Sequence, residues 1–211
     1  MSVLRVRLTR GQALRGLIFR KFVDSVRGAV ERAGLPVARN RRGAPRLEAG
    51  PHLAPAHTSR CEYIDFELTD PITGREFLRR LSMELPAGVD AVSARRLPPG
   101  SKNLKAAVRV LRYRVAGDFR PEQAERFRRA SSWPVVRIRK GQERCLDLRR
   151  SVARLDVGPG EVTMEIEVRV DGTPRPEEVI ASVFGIPLEA ALLLETERSG
   201  MLLSGTSPAR P

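Results

Sequence analysis

The sequence predicts an α+β protein composed of two tandem ferredoxin-like βαββαβ units. Two observations support this fold class. The hydrophobic period changes in the order strand, helix, strand, strand, helix, strand from Val3 to Leu97, and the same order returns from Val108 to Leu203. The 211 residues also suffice for two compact units of about 100 residues each.

The boundary between the predicted units is a run of turn-forming residues, Pro98, Pro99 and Gly100. Such a run ends a strand and is typical of a linker. The tail after Leu203 is small and polar apart from Arg210, which is typical of a disordered terminus. The predicted organisation is a first unit at residues 1–99, a linker at 100–106, a second unit at 107–203 and a disordered tail at 204–211.

The first unit opens with a strand, because apolar and polar residues alternate over residues 4–8. Thr9 and Gln12 then stand at the spacing of a capping box, in which a hydroxyl and an amide satisfy free N–H groups at a helix start. Over residues 14–33 apolar side chains recur every three or four positions, which predicts a helix with one buried stripe. Gly34 supplies the left-handed turn that ends it.

Residues 35–60 are rich in proline, glycine and alanine, and we predict a second strand with a long basic connection there. Alternation returns over residues 63–68 as a third strand. Thr73 and the glutamate three residues later repeat the capping-box spacing before a second helix that ends near Leu85. Residues 89–97 form the predicted closing strand.

The second unit repeats this order. Pro176 opens its last helix, because proline is favoured at the first helical position, and Gly185 ends it. The predicted segments are a strand at 108–115, a short helix at 121–130, a strand around Val136 and Ile138, a hairpin formed by 145–157 and 162–170, a helix from Pro176, and a closing strand at 192–203.

Positive charge dominates the composition, with 38 lysines and arginines against 25 acidic residues and a net charge of +13. A basic surface of this kind attracts polyanions such as nucleic acid. The alternative is compositional, since a G+C-rich genome enriches arginine, alanine, glycine and proline together without selection for binding. The candidate RNA-binding residues are Arg39, Arg41, Arg42 and Arg46 in the first unit, and Arg137, Arg139, Lys140 and Arg144 in the second.

The chain has no motif typical of catalysis or of a cofactor. His52, His57 and Cys61 lie close in sequence, but they have neither the spacing nor the paired cysteines of a zinc site. Asp65 and Glu67 share one face of a strand, whereas the two carboxylates of a glycosidase act from opposite sides of a cleft. No serine lies in a nucleophile elbow, and no glycine loop resembles a phosphate cradle. We therefore predict no catalytic residue, no metal and no cofactor.

Compartment and membrane association follow from the same composition. The two cysteines are far apart and no apolar leader opens the chain, which predicts a reducing, cytoplasmic location. The apolar stretches are much shorter than the roughly 20 residues that a membrane span requires. We therefore expect no membrane partner.

Short motifs spaced along the chain resemble the radical-SAM-linked domain family of unknown function. Members of that family stand beside, or are fused to, a radical SAM protein. The resemblance covers nearly the whole chain, from about residue 3 to about residue 195. It is carried by Leu14-Arg15, Glu31–Pro36, Cys61–Leu68, Leu97–Leu104, Leu146–Arg149 and Arg175–Val179.

The chain departs from the family pattern at two places. Ile18 and Phe19 stand where the family usually has a Ser-His pair, and residues 42–46 replace an aromatic-Asn-Pro segment. Any chemistry carried by that serine, histidine or asparagine is therefore lost here. A radical SAM enzyme also needs three closely spaced cysteines for its cluster, and Cys61 and Cys145 do not meet that need. The resemblance thus implies a partner of a radical SAM protein rather than the enzyme itself.

The sequence leads to one main functional hypothesis and two alternatives. The main one is a non-catalytic accessory protein that works with a radical SAM enzyme and binds the phosphates of a tRNA or rRNA through its arginines. The first alternative is an RNA-processing or RNA-modifying enzyme of tandem ferredoxin-like fold, with an Arg- or Tyr-based site around Tyr113. Residues 14–33 lack the histidine that often assists cleavage in CRISPR-type endonucleases of that fold, which counts against cleavage here. The second is a protein–protein interaction module whose basic surface binds an acidic partner.

Overall fold

The structure is a computed structural model and describes residues 2–139 and 141–204. The chain divides into two compact units between Val108 and Arg109. Each unit combines a mainly antiparallel sheet with helices, so the predicted α+β class is confirmed. No helix in the described part of the chain is long and apolar enough to cross a membrane.

The first unit pairs all its strands antiparallel. In chain order its segments are β1 (Ser2–Arg10), α1 (Phe19–Arg32), β2 (Leu47–Ala49), β3 (Thr58–Leu68), α2 (Gly74–Ser82), β4 (Ala91–Arg96) and α3 (Leu104–Ala107). The strands lie in the order β4-β1-β3, and β2 also pairs with β3. The short β2 is the strand that the sequence placed between residues 35 and 60.

One face of this sheet carries the core of the first unit. Leu4 of β1 lies opposite Phe66 of β3, and both side chains are buried. The helices α1 and α2 cover this face with Phe22 and Phe77, which are also fully buried. The rings of Phe66 and Phe77 lie with their centroids 5.1 Å apart. The predicted alternation in β1 and β3 and the apolar stripe of α1 are therefore confirmed.

The first helix begins later than predicted. Residues 12–14 form only a 3-10 turn, and α1 starts at Phe19. The hydroxyl of Thr9 does not cap a helix, because it accepts a hydrogen bond from the backbone N–H of Asp90 at 2.9 Å and donates one to the Asp90 carboxylate at 3.0 Å. Gly16, at a φ of +87°, turns the chain before α1 begins.

The second predicted capping box is confirmed for Thr73 but not for Glu76, whose carboxylate accepts its hydrogen bonds from Arg79. The Thr73 hydroxyl accepts a hydrogen bond from the backbone N–H of Glu76 at 3.1 Å, and α2 follows directly. The helix ends at Ser82, a few residues before the predicted end at Leu85.

The second unit has a larger number of segments. They are β5 (Val108–Ala116), α4 (Pro121–Arg129), β6 (Pro134–Arg139), β7 (Gln142–Asp147), α5 (Leu148–Ser151), β8 (Val152–Gly158), β9 (Glu161–Glu167), α6 (Pro176–Phe184), α7 (Leu188–Ala191) and β10 (Thr196–Leu203). The main strands follow the order β10-β5-β9-β8. The predicted helix starts at Pro121 and Pro176 are confirmed, and Gly185 ends α6 at a φ of +64°.

The middle of the second unit departs from the prediction. β6 and β7 form a separate antiparallel ribbon, and α5 interrupts the strand predicted at 145–157. The cause is Asp147, whose carboxylate accepts a hydrogen bond from the backbone N–H of Arg149 at 3.0 Å and so starts a helical turn. The predicted hairpin is formed instead by β8 and β9.

Two of the predicted segments, the linker at 100–106 and the tail at 204–211, can be compared with the structure. Within the segment 100–106, Leu104 opens α3 and is fully buried. The tail predicted at 204–211 lies outside the described residues from Gly205 onward. The limits 1–99 and 107–203 remain predictions.

Candidate nucleic-acid interface

The first basic cluster lies on a tight hairpin turn between residues 39 and 46. Arg39 bridges to Pro45 across the turn. The side-chain oxygen of Asn40 accepts hydrogen bonds from the backbone N–H groups of Arg42 at 2.9 Å and Ala44 at 3.2 Å. This Asx-type arrangement fixes the backbone locally. The arginines on the turn therefore project from a well-defined loop rather than from a free tail.

The four arginines of this turn differ in their partners. Arg39 lies 3.5 Å from Glu31 and Arg46 lies 3.0 Å from Glu67 as surface ion pairs. Both arginine side chains are more than half exposed, and such pairs contribute little to stability. Arg41 and Arg42 are exposed as well, and neither forms an ion pair with any residue that the structure describes. They are available to bind an external anion.

A pocket of about 430 Å³ lies beside this turn, within the first unit. Its lining includes Arg46 and the segment 97–103. Glu48 and Glu67 present carboxylates to the pocket, and Lys102 adds an exposed cation. Neither Glu48 nor Lys102 is a predicted site residue, although Lys102 lies in the segment 97–104 that carries part of the resemblance.

A buried ion pair supports the base of the pocket. Arg5 and Asp65 lie directly opposite each other on β1 and β3. The guanidinium donates two hydrogen bonds of 2.7 Å to the two carboxylate oxygens, and both side chains are less than a tenth exposed. Arg5 also donates a longer hydrogen bond of 3.4 Å to the carbonyl of Lys102. Asp65 is therefore not on a solvated strand face, as its sequence pattern suggested, but holds the pocket wall through Arg5.

The second basic cluster lies on the β6–β7 ribbon. Arg137 of β6 faces Arg144 of β7 in the strand register. Arg144 is exposed. Only the backbone of Arg139 is described, and Lys140 lies outside the described residues. The structure therefore tests the surroundings of two of the four predicted residues.

Arg137 is committed to an internal partner. Its Nε donates a hydrogen bond of 2.6 Å to Glu178 on α6, and its Nη2 donates to the second Glu178 oxygen. Nη2 also donates to the Thr173 carbonyl at 3.0 Å. The hydrogen bond to Glu178 raises the pKa of Arg137 above its usual value. Glu178 in turn accepts a hydrogen bond from the backbone N–H of Arg175 at 2.7 Å, so one carboxylate joins the ribbon to the start of α6.

Asp147 joins three parts of the second unit. Its carboxylate accepts hydrogen bonds from the backbone N–H of Trp133 at 2.8 Å, from the Ser132 hydroxyl at 2.9 Å and from the Arg149 N–H. The bond from Trp133 is the main reason that the pKa of Asp147 lies below its usual value. The motif Leu146–Arg149 that carries part of the resemblance therefore has a structural role.

This lowered pKa predicts a pH dependence. A carboxylate with a depressed folded-state pKa stabilises the fold above its unfolded pKa, and the contribution is lost as the pH falls through the folded value. Replacing Asp147 with asparagine should therefore flatten the fall in melting temperature between about pH 5 and pH 2. Thermal unfolding followed by circular dichroism tests this. An unchanged pH profile in Asp147→Asn would contradict it.

The tyrosine considered for an RNA-processing site is not accessible. Tyr113 is only 5% exposed. Its hydroxyl oxygen accepts hydrogen bonds from Nε and Nη2 of Arg198 at 3.3 and 3.1 Å, and the guanidinium also lies over its ring. This surrounding gives Tyr113 a packing role.

The histidines and cysteines do not come together as metal ligands. Across residues 2–139 and 141–204, no three His, Cys, Asp or Glu side chains are arranged to hold a metal ion. His57 and Cys61 are buried, and the ring of His52 contacts Phe19 at 5.1 Å between centroids.

Comparison with known proteins identifies a family. No curated protein matches the chain. Residues 4–176 match the family described as "Uncharacterized protein conserved in bacteria (DUF2344)". The match spans both basic clusters, Asp147 and all of the pocket lining except Ser2 and Val3. Since it covers well over half of the sequence, the chain belongs to the DUF2344 family of uncharacterized bacterial proteins.

Proposed function

We propose that this protein is a non-catalytic accessory protein that binds RNA phosphates through exposed arginines and works with a radical SAM enzyme. The observation that carries the RNA part is the pair Arg41 and Arg42. Both are exposed on a turn that Asn40 holds in place, and neither has an ion-pair partner among residues 2–139 and 141–204. A tRNA or a rRNA is the substrate class that we propose.

Simple electrostatics favours a phosphate backbone as the ligand. RNA presents closely spaced phosphates, and arginine binds them through a planar fork of N–H donors. Arg39 and Arg46 flank the tip of the turn, and their ion pairs with Glu31 and Glu67 lie at the surface, so phosphate groups can compete for them. Arg39 also donates a hydrogen bond to the Gly43 carbonyl within the turn. The net charge of +13 adds a long-range attraction that raises the rate of association.

The ribbon is proposed as a second contact with the same ligand chemistry. Arg144 is exposed on β7, Arg139 is the last residue of β6, and Lys140 comes next in the sequence. Arg137 has a different role in the proposal, because Glu178 occupies its guanidinium. We assign Arg137 to hold the ribbon and the other three residues to contact RNA.

The radical SAM partner and the ferredoxin-like architecture are also part of the proposal. The partner is supported by the resemblance of the spaced motifs alone. The architecture is supported by the strand order: β2 pairs with β3 beside the β4-β1-β3 arrangement in the first unit, and the second unit has β10-β5-β9-β8. Both are the 4-1-3-2 order of a βαββαβ unit. We propose that the cytoplasm is the compartment in which the two proteins meet.

Replacing Arg41 and Arg42 together with alanine should weaken RNA binding about tenfold at moderate salt. The slope of log K against log salt should also fall by about 1.4, because about 0.7 is lost for each single-strand phosphate contact. Electrophoretic mobility shift of a tRNA transcript over a salt series measures both quantities.

Arg128→Ala/Arg129→Ala is the matched control. These two arginines are also adjacent and exposed, but they pair with Glu125 on the same helix. The control should retain RNA affinity within about twofold, whereas equal losses in both double variants would indicate only a general effect of net charge. Absence of binding to any RNA at low salt would overturn the proposal and favour an acidic protein partner.

A further inference from the structure

We propose that the pocket of the first unit binds one guanine nucleotide, with the base edge at Glu67 and the phosphate at Lys102. We infer that this nucleotide is an unpaired guanosine of the RNA that the protein binds, and this source of the nucleotide rests on the proposed function. A free guanine nucleotide offers the same groups to the pocket, namely a hydrogen-bond donor edge on the base and a phosphate. The two sources are separated by the experiment below.

The size and rigidity of the pocket suit a small ligand. Its volume of about 430 Å³ lies in the range of about 300–1,000 Å³ that is typical of small-molecule sites. Two prolines, Pro98 and Pro99, line one wall and offer apolar ring surfaces with restricted backbones. The Ser101 hydroxyl donates to the Pro98 carbonyl at 2.7 Å, and Arg5 holds the carbonyl of Lys102. A wall held in this way loses little entropy on binding.

The charges of the pocket favour a ligand that has both hydrogen-bond donors and a negatively charged group. Asp65 is neutralised by Arg5, and Arg96 donates to the Ile72 carbonyl. Arg96 keeps its charge in that hydrogen bond, so the pocket is lined by three cations, Arg46, Arg96 and Lys102, and by two further carboxylates, Glu48 and Glu67. A purely cationic guest would meet the cations, and a purely anionic one would meet the carboxylates. A nucleotide satisfies both sets, because its base edge donates hydrogen bonds and its phosphate accepts them.

The carboxylates favour guanine among the bases. The Glu67 side chain is about one-fifth exposed, and its Oε2 lies 3.0 Å from Arg46 Nη1. Its other oxygen accepts no hydrogen bond from the residues that the structure describes. Guanine presents two adjacent donors, N1–H and the N2 amino group, and a carboxylate can accept both. Adenine and uracil do not offer that pair of donors. Proteins that recognise single-stranded RNA read such Watson–Crick edges of unstacked bases.

The arginine turn leads into the same pocket. Arg46 is both the last arginine of the turn and part of the pocket wall, and its backbone N–H donates to the Ala38 carbonyl at 2.6 Å. A strand whose phosphates contact Arg41 and Arg42 would therefore have a neighbouring nucleotide within reach of the pocket. The guanidinium plane of Arg46 is a surface on which that base can stack.

Binding of the full-length protein to two sets of probes tests the inference. The first set is GMP, inosine monophosphate and AMP, measured by isothermal titration calorimetry. The second is a short oligouridine with one central guanosine, inosine or adenosine, measured by fluorescence anisotropy. We expect about tenfold tighter binding for guanine than for adenine in both sets, because a bidentate contact discriminates by that order. Inosine, which lacks the N2 amino group, should bind between the two.

Two variants and one control assign the contacts. Glu67→Gln should reduce the preference for guanine over adenine to about twofold or less, while Lys102→Ala should weaken all three nucleotides about equally. Glu122→Gln changes an exposed glutamate outside the pocket and should leave the preference intact. Circular dichroism melting of each variant shows whether a loss of preference reflects unfolding.

The outcomes separate this inference from the proposed function. RNA binding without a guanine preference would overturn the inference and leave the RNA proposal standing. Binding of GMP with no binding of RNA would support the pocket chemistry and overturn its RNA setting. Absence of binding to every probe would overturn the inference, and absence of tRNA binding at low salt would overturn the proposed function as well. A guanine preference that persists in Glu67→Gln would overturn the assignment of the base edge to Glu67.

Discussion

Replacing Asp65 with alanine should lower the free energy of unfolding by about 3–5 kcal/mol. The change would leave the Arg5 guanidinium buried, at less than a tenth exposed, without the carboxylate that accepts two of its hydrogen bonds. An uncompensated buried charge costs far more than the intact pair contributes, because its desolvation is no longer offset. The pocket wall at Lys102 should loosen as well, since Arg5 also holds that carbonyl.

Urea denaturation followed by circular dichroism measures this cost. The double variant Arg5→Met/Asp65→Leu removes both charges and should be closer to the wild type in stability than Asp65→Ala is. The control is Glu161→Ala, which breaks the cross-strand pair of Arg114 and Glu161 on the surface and should cost less than about 1 kcal/mol. A cost below about 1 kcal/mol for Asp65→Ala would contradict the view that the pair is a buried structural element.

The sequence predicts those parts of the fold in which one face of a segment is buried. In β1 and β3 the alternation is unambiguous because Leu4 and Phe66 face the core while their neighbours face away. The cap at Thr73 is also predictable, because the Thr73 hydroxyl and the Glu76 N–H that it accepts from lie within one helical turn. Such local signals need no knowledge of the rest of the chain.

Signals that depend on distant residues were misread. Thr9 has the spacing of a helix cap, but its hydroxyl pairs with Asp90, which is 81 positions away. Asp65 has the alternation of a solvated residue, but it is buried and pairs with Arg5, which is 60 positions away in the sequence. In each case the side chain finds a tertiary partner that local periodicity does not encode.

The candidate site was predictable in composition and not in geometry. The arginines of the turn were identified from their clustering in sequence, and Arg41 and Arg42 are indeed exposed. Glu48 and Lys102 were missed because they meet only where β2 and the segment after β4 converge on the pocket. Conversely, Arg137 was selected as a binding residue although its partner Glu178 lies 41 positions further along the chain.

Removal of Glu178 should separate stability from RNA binding. Glu178 is about one-tenth exposed, accepts two hydrogen bonds from Arg137 and accepts one from the backbone N–H of Arg175. Glu178→Ala should therefore lower the free energy of unfolding by about 3 kcal/mol, since it leaves a half-buried guanidinium and a helix start without their acceptor. Glu122→Ala is the matched control, because Glu122 also follows a proline in the first turn of a helix but is exposed.

The same variant decides whether Arg137 supports the ribbon or contacts RNA. If Arg137 is a support, Glu178→Ala and Arg137→Ala should both destabilise the protein yet bind RNA within about twofold of the wild type at a temperature where both are folded. Arg41→Ala/Arg42→Ala should behave in the opposite way, with lower affinity and unchanged unfolding, because its side chains lie in solvent. Tighter RNA binding by Glu178→Ala would contradict the assignment, since it would mean that the released guanidinium is itself a phosphate contact.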